Sequence, residues 1–435
     1  MTKEELKRRV CDAISNRKEQ ILAIGQDIFA HPELGYKEFR TSSIVQDTFS
    51  SLGLKFEKDL AITGVKSRLK GGQSLLNVCV MGELDSVLCP GHPHADPNTG
   101  AAHSCGHNAQ IAMMLGVGFG LVDSGIMGDL AGDVTLMAVP AEEYVEIEYR
   151  SNLRKQRKIQ FLGGKQEMIA IGAMDDIDMA MMIHLGMTKD GKKVSVGGSN
   201  NGFIGKFIRY TGKEAHAGGA PHEGINALNA AMLGLFGVHA QRETFLDSDC
   251  IRVHPIITKG GNLVNVIPSD VRLETYVRGK TMAAVMDAAK KVDRALEAGA
   301  MAVGAEVSIE TIPGYLPRTS DKGMDSLFED NAKSLLGIDA VKHGEHTTGS
   351  TDMGDVSCIM PAIHPHIGGA EGTGHSEDYR IEDPDLAYIA GAKIMAMTVI
   401  DLLYDNACLA RKIKAEYKPQ YTTESYLKMW QDLLC

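Results

Sequence analysis

Apolar and charged positions alternate with a helical period from residue 3 to residue 30, and the pattern stops at His31-Pro32, where proline disfavours further helix. The spacing predicts another helix over residues 41–52, after which the period changes. Residues 74–83 form a continuous apolar run of strand length, and residues 133–139 and 178–184 repeat it, each run ending on polar residues. Residues 109–122 are apolar enough to be a buried helix. Such strands alternating with helices predict an α/β fold built on a mixed, mostly parallel sheet with helices on both faces. Ligands of such sheets bind beyond the carboxyl ends of the strands. Asp85, Glu142, Glu143 and His184 all fall there.

Past Gly197-Gly198 the pattern alters. Strand patterns over 203–211, 251–258, 271–277 and 305–311 and helical patterns over 224–241 and 282–301 give the order β-α-β-β-α-β, the ferredoxin-like arrangement. From Gly314 the earlier style returns, with a helix near 324–336, an apolar segment around 359–367 and a long Ala- and Met-rich helix over 386–403. The last thirty residues mix charge and aromatics and receive no assignment. The expected organisation is one domain made of residues 1–199 and 313–435, interrupted by a ferredoxin-like α+β domain over 200–312.

A chain of 435 residues exceeds one ordinary core, which agrees with two domains. A net charge of −11 without a run of Lys or Arg excludes a nucleic-acid surface. The charged N-terminal segment lacks the apolar core of a signal peptide, and no segment is expected to reach the length needed to cross a bilayer, so the expected location is cytoplasmic, with no membrane partner. Eight scattered cysteines lack the spacing of a disulfide framework, so reduced thiols are expected, one of them a candidate ligand.

Candidate chemistry begins at Cys105-Gly-His107, ahead of the apolar helix. Thiolate and imidazole are ligands that borderline metals prefer, and a helix N-terminus favours a thiolate. A structural Cys beside a loop His is the other reading of the same pair. Glu142 and Glu143 follow a core strand directly. Adjacent carboxylates point different ways, so one can bind a metal while its neighbour takes a proton from water; an exposed acidic turn is the alternative. His184 ends an apolar run, and His375 lies in the polar loop Gly374-His-Ser-Glu-Asp378. Cys105, His107, Glu143, His184 and His375 together make five ligands of zinc-like type, more than one tetrahedral ion needs and about right for two ions sharing a bridge. The inserted domain adds His216 in a turn of small residues, Asn265, and Arg278 after a strand. An Arg fork suits a substrate carboxylate, and an ordinary strand-end charge is the alternative.

With His31-Pro-Glu-Leu-Gly35, His103-Ser-Cys-Gly-His107, Pro140-Ala-Glu-Glu143, His184, Ala215-His-Ala217, Asn265-Val-Ile-Pro268 and Gly374-His375 in this order, the chain resembles the co-catalytic metallo-amidohydrolases. That family includes hippurate, auxin-conjugate and N-acyl amino acid hydrolases, aminoacylases and related carboxypeptidases. Gly349-Ser-Thr-Asp-Met-Gly-Asp355, Cys105-Gly-His-Asn108 and the long final helix look most like the branch that holds one of the two chains of p-aminobenzoyl-glutamate hydrolase and certain dipeptidases.

The resemblance implies a catalytic domain holding two divalent ions per subunit, zinc or manganese. Cys105 would bridge, His107, Glu143, His184 and His375 would complete the set, and Glu142 would be the general base that takes a proton from metal-activated water. It implies that the inserted domain is a lid through which a homodimer forms. His216 would polarise the scissile carbonyl in the partner subunit's site, and Asn265 and Arg278 would hold the substrate's carboxylate end. The implied substrates are N-acyl amino acids, aminobenzoyl-glutamate-like compounds or dipeptides. Three positions depart from the wider pattern: Glu83-Leu-Asp85 stands where many members have His-x-Asp, Asn108-Ala-Gln110 replaces Asp-x-His, and Tyr144 replaces a Gly. Glu83 is an extra ligand, a substitute ligand or a salt-bridge partner on this reading, and the charged segment 145–165 receives no assignment. The rival classes are a non-catalytic subunit or metabolite-binding paralogue of a two-subunit hydrolase, and a metal-storage scaffold.

Overall fold

The strand Asn77–Glu83, buried along its whole length, lies inside a six-stranded sheet. In the computed structural model, which describes residues 1–186 and 191–434, the sheet runs Phe56–Leu60, Gly64–Leu69, Asp133–Val139, Asn77–Glu83, Met179–Met181 and Ala362–Ile363. The last four strands are mutually parallel and the first two are antiparallel additions. Asp133–Val139 is also fully buried, as an apolar strand covered by helices must be. The buried helix His107–Ser124 packs on Asn77–Glu83 and is itself covered by the helices Lys3–Asn16, Lys18–Ala30 and Gly391–Glu416.

The helical pattern over 3–30 is two helices rather than one, because the chain leaves helical geometry at Arg17, whose N–H closes the first helix on the Ala13 and Ile14 carbonyls. The run over 178–184 is likewise divided. Met179–Met181 belongs to the six-stranded sheet, whereas His184–Leu185 belongs to a second sheet ordered Val341–Thr347, Val194–Asn200, His366–Ile367 and His184–Leu185. Both pieces pair in parallel with the segment 361–367, where Pro365 offers a carbonyl to His184 but has no N–H to return.

The final apolar helix is longer than its pattern predicts. Residues 385–416 reach a mean hydropathy of 1.7, enough by length and composition to cross a bilayer, which corrects the expectation that no segment reaches that length. Its most apolar window is 94% buried inside the protein, so it is a core helix. Residues Tyr404 to Ala407 interrupt it with non-helical dihedrals.

Of the described residues, one compact unit comprises those within Met1–Ser199, Thr319–Glu345 and Asp355–Glu424; the other comprises Asn200–Arg318, His346–Gly354 and 425–434. The second unit has an antiparallel sheet ordered Arg252–Val253, Asp270–Gly279, Gly202–Thr211 and Glu306–Ile312, with Ile256–Lys259 also paired to Asp270–Gly279. The predicted strand over 251–258 breaks at His254-Pro255, consistent with proline's exclusion from a continuous ladder. Asp270–Gly279 alternates half-buried and buried residues, and the helices Ala227–Ala240 and Met282–Val303 pack together and against this sheet.

Candidate metal centre

Gly106 starts the helix His107–Ser124 in the left-handed region, φ +90°, and a Cβ there would come within 2.6 Å of the Tyr379 hydroxyl. Only glycine fits both restrictions. This turn presents Cys105 from the preceding loop and His107 from the first helical position.

The Cys105 Sγ lies 3.3 Å from His184 Nε2 and 3.3 Å from His375 Nε2. Ligand-type atoms of Cys105, His107 and His184 all lie within 4.8 Å of one another, as do those of Cys105, Glu143 and His375. The thiol is thus common to two donor groups. His375 Nε2 is 3.1 Å from a Glu143 carboxylate oxygen, and the loop carrying it is anchored by the His375 N–H donating to the Ser104 carbonyl at 2.8 Å. A third group joins His107 to Glu83 and Glu142, with His107 Nε2 at 3.0 Å from Glu83 and 3.9 Å from Glu142.

Neighbouring groups orient these donors. His107 Nδ1 faces the Asp85 backbone carbonyl at 2.9 Å and its carboxylate at 3.1 Å, which leaves Nε2 toward the other donors. The other Asp85 oxygen accepts the Glu143 N–H at 2.8 Å. His184 Nδ1 is 2.7 Å from the Leu185 carbonyl, so its Nε2 also points at the thiol. Carboxylate and carbonyl partners on the far nitrogen fix the tautomer a metal needs.

The electrostatics favour ionised ligands. Burial and the Glu143 carboxylate push the Cys105 thiol up, but the His184 and His107 imidazoles outweigh them and bring it down to about 6. Burial opposes ionisation of Glu143, yet its hydrogen bond from His375 holds it down to about 2. His375 is raised to about 11 by Cys105 and by Glu143. A thiolate, three carboxylates and three imidazoles facing one another are the donor set that binds borderline divalent ions.

Glu83 is buried, accepts Lys165 Nζ at 2.5 Å and Gln110 Nε2 at 2.8 Å, and still faces His107. Salt-bridge partner and neighbour of the donor cluster are therefore both true of it. Sequence reasoning missed three other features. His364 and His366 place their rings 5.6 and 5.4 Å from the His184 ring, a pairing signalled by His364-Pro-His366 at the end of the apolar segment. Asp85 was visible at the rim, but its double contact with His107 and Glu143 was not. His103 is buried outside the three donor groups, and burial pushes it down to about 3, which keeps it neutral.

His216, Asn265 and Arg278 belong to the second unit. His216 is exposed, and its Nδ1 accepts the N–H groups of Gly218 and Gly219, so its Nε2 carries the proton. The exposed Asn265 accepts the Ala217 N–H on its carbonyl. Arg278 contacts His254 Nε2 at 3.2 Å, donates to the Ser350 hydroxyl at 2.8 Å and lies over the Phe203 and Tyr276 rings.

Residues 79–401 match the model of peptidase family M20/M25/M40, and the chain belongs to that family. It is 28% identical over 451 residues to the Xaa-Arg dipeptidase of Mus musculus, covering 98% of this chain and 95% of that one. It is 27% identical over 288 residues to an N-acyl-L-amino acid amidohydrolase of Geobacillus stearothermophilus, covering 64% and 70% respectively. Its fold is similar to that of a dinuclear metal-binding peptidase of the M20 family from Bacillus subtilis, with TM-score 0.64 and 20% identity over 88% of this chain and 98% of the other.

Proposed function

We propose that this protein is a metal-dependent hydrolase of amide bonds whose amine side is an amino acid, acting on dipeptides or N-acyl amino acids. The observation that carries the reading is the sharing of Cys105 between the group with His107 and His184 and the group with Glu143 and His375. A single thiolate common to two donor sets suits a pair of divalent ions, zinc or manganese, better than one tetrahedral ion. The mouse relative is named a dipeptidase and the Geobacillus relative an N-acyl amino acid amidohydrolase, and both substrate classes share the amide-plus-carboxylate pattern.

Ions held by these residues would supply polarisation of the scissile carbonyl and a water of lowered pKa. Glu142 is the general base of the reaction: it accepts the proton of the attacking water and returns it to the leaving nitrogen. Asp85 holds His107 in one tautomer and Glu143 in one direction. His216 offers its Nε2 proton to the developing oxyanion, and Asn265 and Arg278 bind the substrate's carboxylate.

Those last roles call for a second copy of the chain. Arg278 sits at the end of Asp270–Gly279 that pairs with Phe203, whereas the turn of His216 and Val266 lies beyond the end that pairs with Thr211. Eight residues of strand separate these ends by about 27 Å. One copy of the unit therefore cannot present both to one small substrate, and a homodimer can. The exposed Met232, Leu233 and Phe236 on Ala227–Ala240, with Ile256 and Ile257 on a neighbouring strand, offer the apolar face such a dimer buries.

The test is a hydrolysis assay of the metal-loaded protein against dipeptides and N-acyl amino acids differing in the acyl group and the C-terminal residue. Turnover that requires a free substrate carboxylate supports the reading. Failure across the panel with both ions bound would leave a metal-binding, non-catalytic protein.

A further inference from the structure

The charged segment after Glu143 folds into the helices Ile147–Lys155 and Gly164–Ala170, and its Arg150 is fully buried. A guanidinium inside a protein is unfavourable unless its donors are used. Arg150 Nη1 donates to the Leu162 carbonyl at 2.9 Å and to the Ala141 carbonyl at 3.3 Å, with the group lying over the Tyr36 ring at 5.5 Å. The same Ala141 carbonyl accepts the Gly164 N–H at 3.1 Å. Gly164 has no room for a side chain, since a Cβ would lie 1.5 Å from the Pro140 carbonyl oxygen.

On its other side, the Ala141 N–H donates to Glu38 Oε1 at 2.8 Å, while Glu38 Oε2 accepts the Thr63 hydroxyl at 2.7 Å. Glu38 is also fully buried. Two buried ionisable side chains, 112 positions apart in sequence, thus hold the N–H and the carbonyl of one residue. That residue is strained: Ala141 has φ +53°, a left-handed conformation unfavourable for anything but glycine. It directly precedes Glu142 and Glu143, which leave the turn toward His107 and His375 respectively.

We propose that Arg150 and Glu38 are positioning residues for Glu142, clamping Ala141 in the left-handed turn from which the general base and the neighbouring metal-ligand carboxylate emerge. This rests on Glu142 being the base. The segment 145–165 is then the outer jaw of the clamp: its Arg150 and Lys165 are buried, whereas Glu148, Lys155, Arg157 and Lys158 stay exposed.

The test uses the metal-loaded full chain with Arg150→Met, Glu38→Leu and Ala141→Gly. Arg150→Met and Glu38→Leu are each expected to lower kcat by about tenfold to a hundredfold, the scale of a small misplacement of a reacting group. KM should stay within about twofold and the metal content should match the wild type. Adding Ala141→Gly to Arg150→Met should recover part of the lost kcat, because glycine adopts the positive φ without help. A structural role alone predicts lost soluble protein with unchanged kcat per folded molecule and no such recovery. Should Arg150→Met not fold, Glu38→Leu and its Ala141→Gly double variant carry the comparison. Wild-type kcat in the folded single variants, or metal lost in step with activity, overturns the clamp. Full activity of Glu142→Gln would instead overturn the assignment of the base.

Discussion

Asp85 accepts the backbone N–H of Glu143 on one carboxylate oxygen at 2.8 Å and faces His107 Nδ1 with the other at 3.1 Å. One buried side chain thereby couples a histidine at the start of a helix to a glutamate after a strand. Asp85→Asn keeps the size but turns one of these acceptors into a donor. Isothermal titration should show metal affinity reduced about 10–100-fold, the usual cost of losing such an orienting partner. Unchanged affinity would mean that the two ligands are oriented by packing alone.

Glu142→Gln removes the proposed proton acceptor while preserving shape. The expected result is a kcat lower by about 10²–10⁴-fold, the range for general-base loss, with unaltered metal content by elemental analysis. Full turnover would place the base elsewhere.

The metal-free protein should show a pH dependence set by Glu143 and His375. Glu143 is held down to about 2, so its stabilising contribution is present above its ordinary carboxylate pKa and is lost as pH falls toward 2. His375 is raised to about 11, so its contribution is complete below the ordinary imidazole pKa and declines as pH rises through the folded value. The His375 side chain keeps 55% of its exposure, so solvent screens the pair and the effect is small. The Tm of the metal-free protein should fall at both extremes, and His375→Gln should flatten both arms. The His375 proton must leave when a metal binds, so affinity should rise with pH. A Tm profile unaffected by His375→Gln would show that the pair contributes nothing.

Phe236 is 69% exposed on the apolar face of Ala227–Ala240. If His216 acts across subunits as proposed, Phe236→Glu should convert a dimer to a monomer in light scattering, and activity should fall with it while metal content holds. An active monomer would contradict that arrangement.

Much of the scaffold was legible because its signals are local. Apolar strand runs that end on polar residues put Asp85, Glu142 and Glu143 near one another, and the β-α-β-β-α-β order of the second unit reads straight from alternating periods. What stayed hidden depends on distant pairing. Arg150 looks like a surface charge in a charged segment, and only the folding of 140–164 back on itself, which brings the Ala141 and Leu162 carbonyls to its guanidinium, makes it an interior donor. Glu83 could not be paired in advance with Lys165, 82 residues away, nor His184 with the rings of His364 and His366. The division of 178–184 between two sheets turns on Pro365, far along the chain.

The most direct measurement is metal content before and after Cys105→Ala, by elemental analysis of protein reconstituted with zinc or manganese. A thiolate shared between two donor groups predicts two ions per chain in the unsubstituted protein, and one or none in the variant, with hydrolysis lost. Two ions retained in folded Cys105→Ala, or fewer than two in the parent under saturating metal, would contradict the shared-ligand centre.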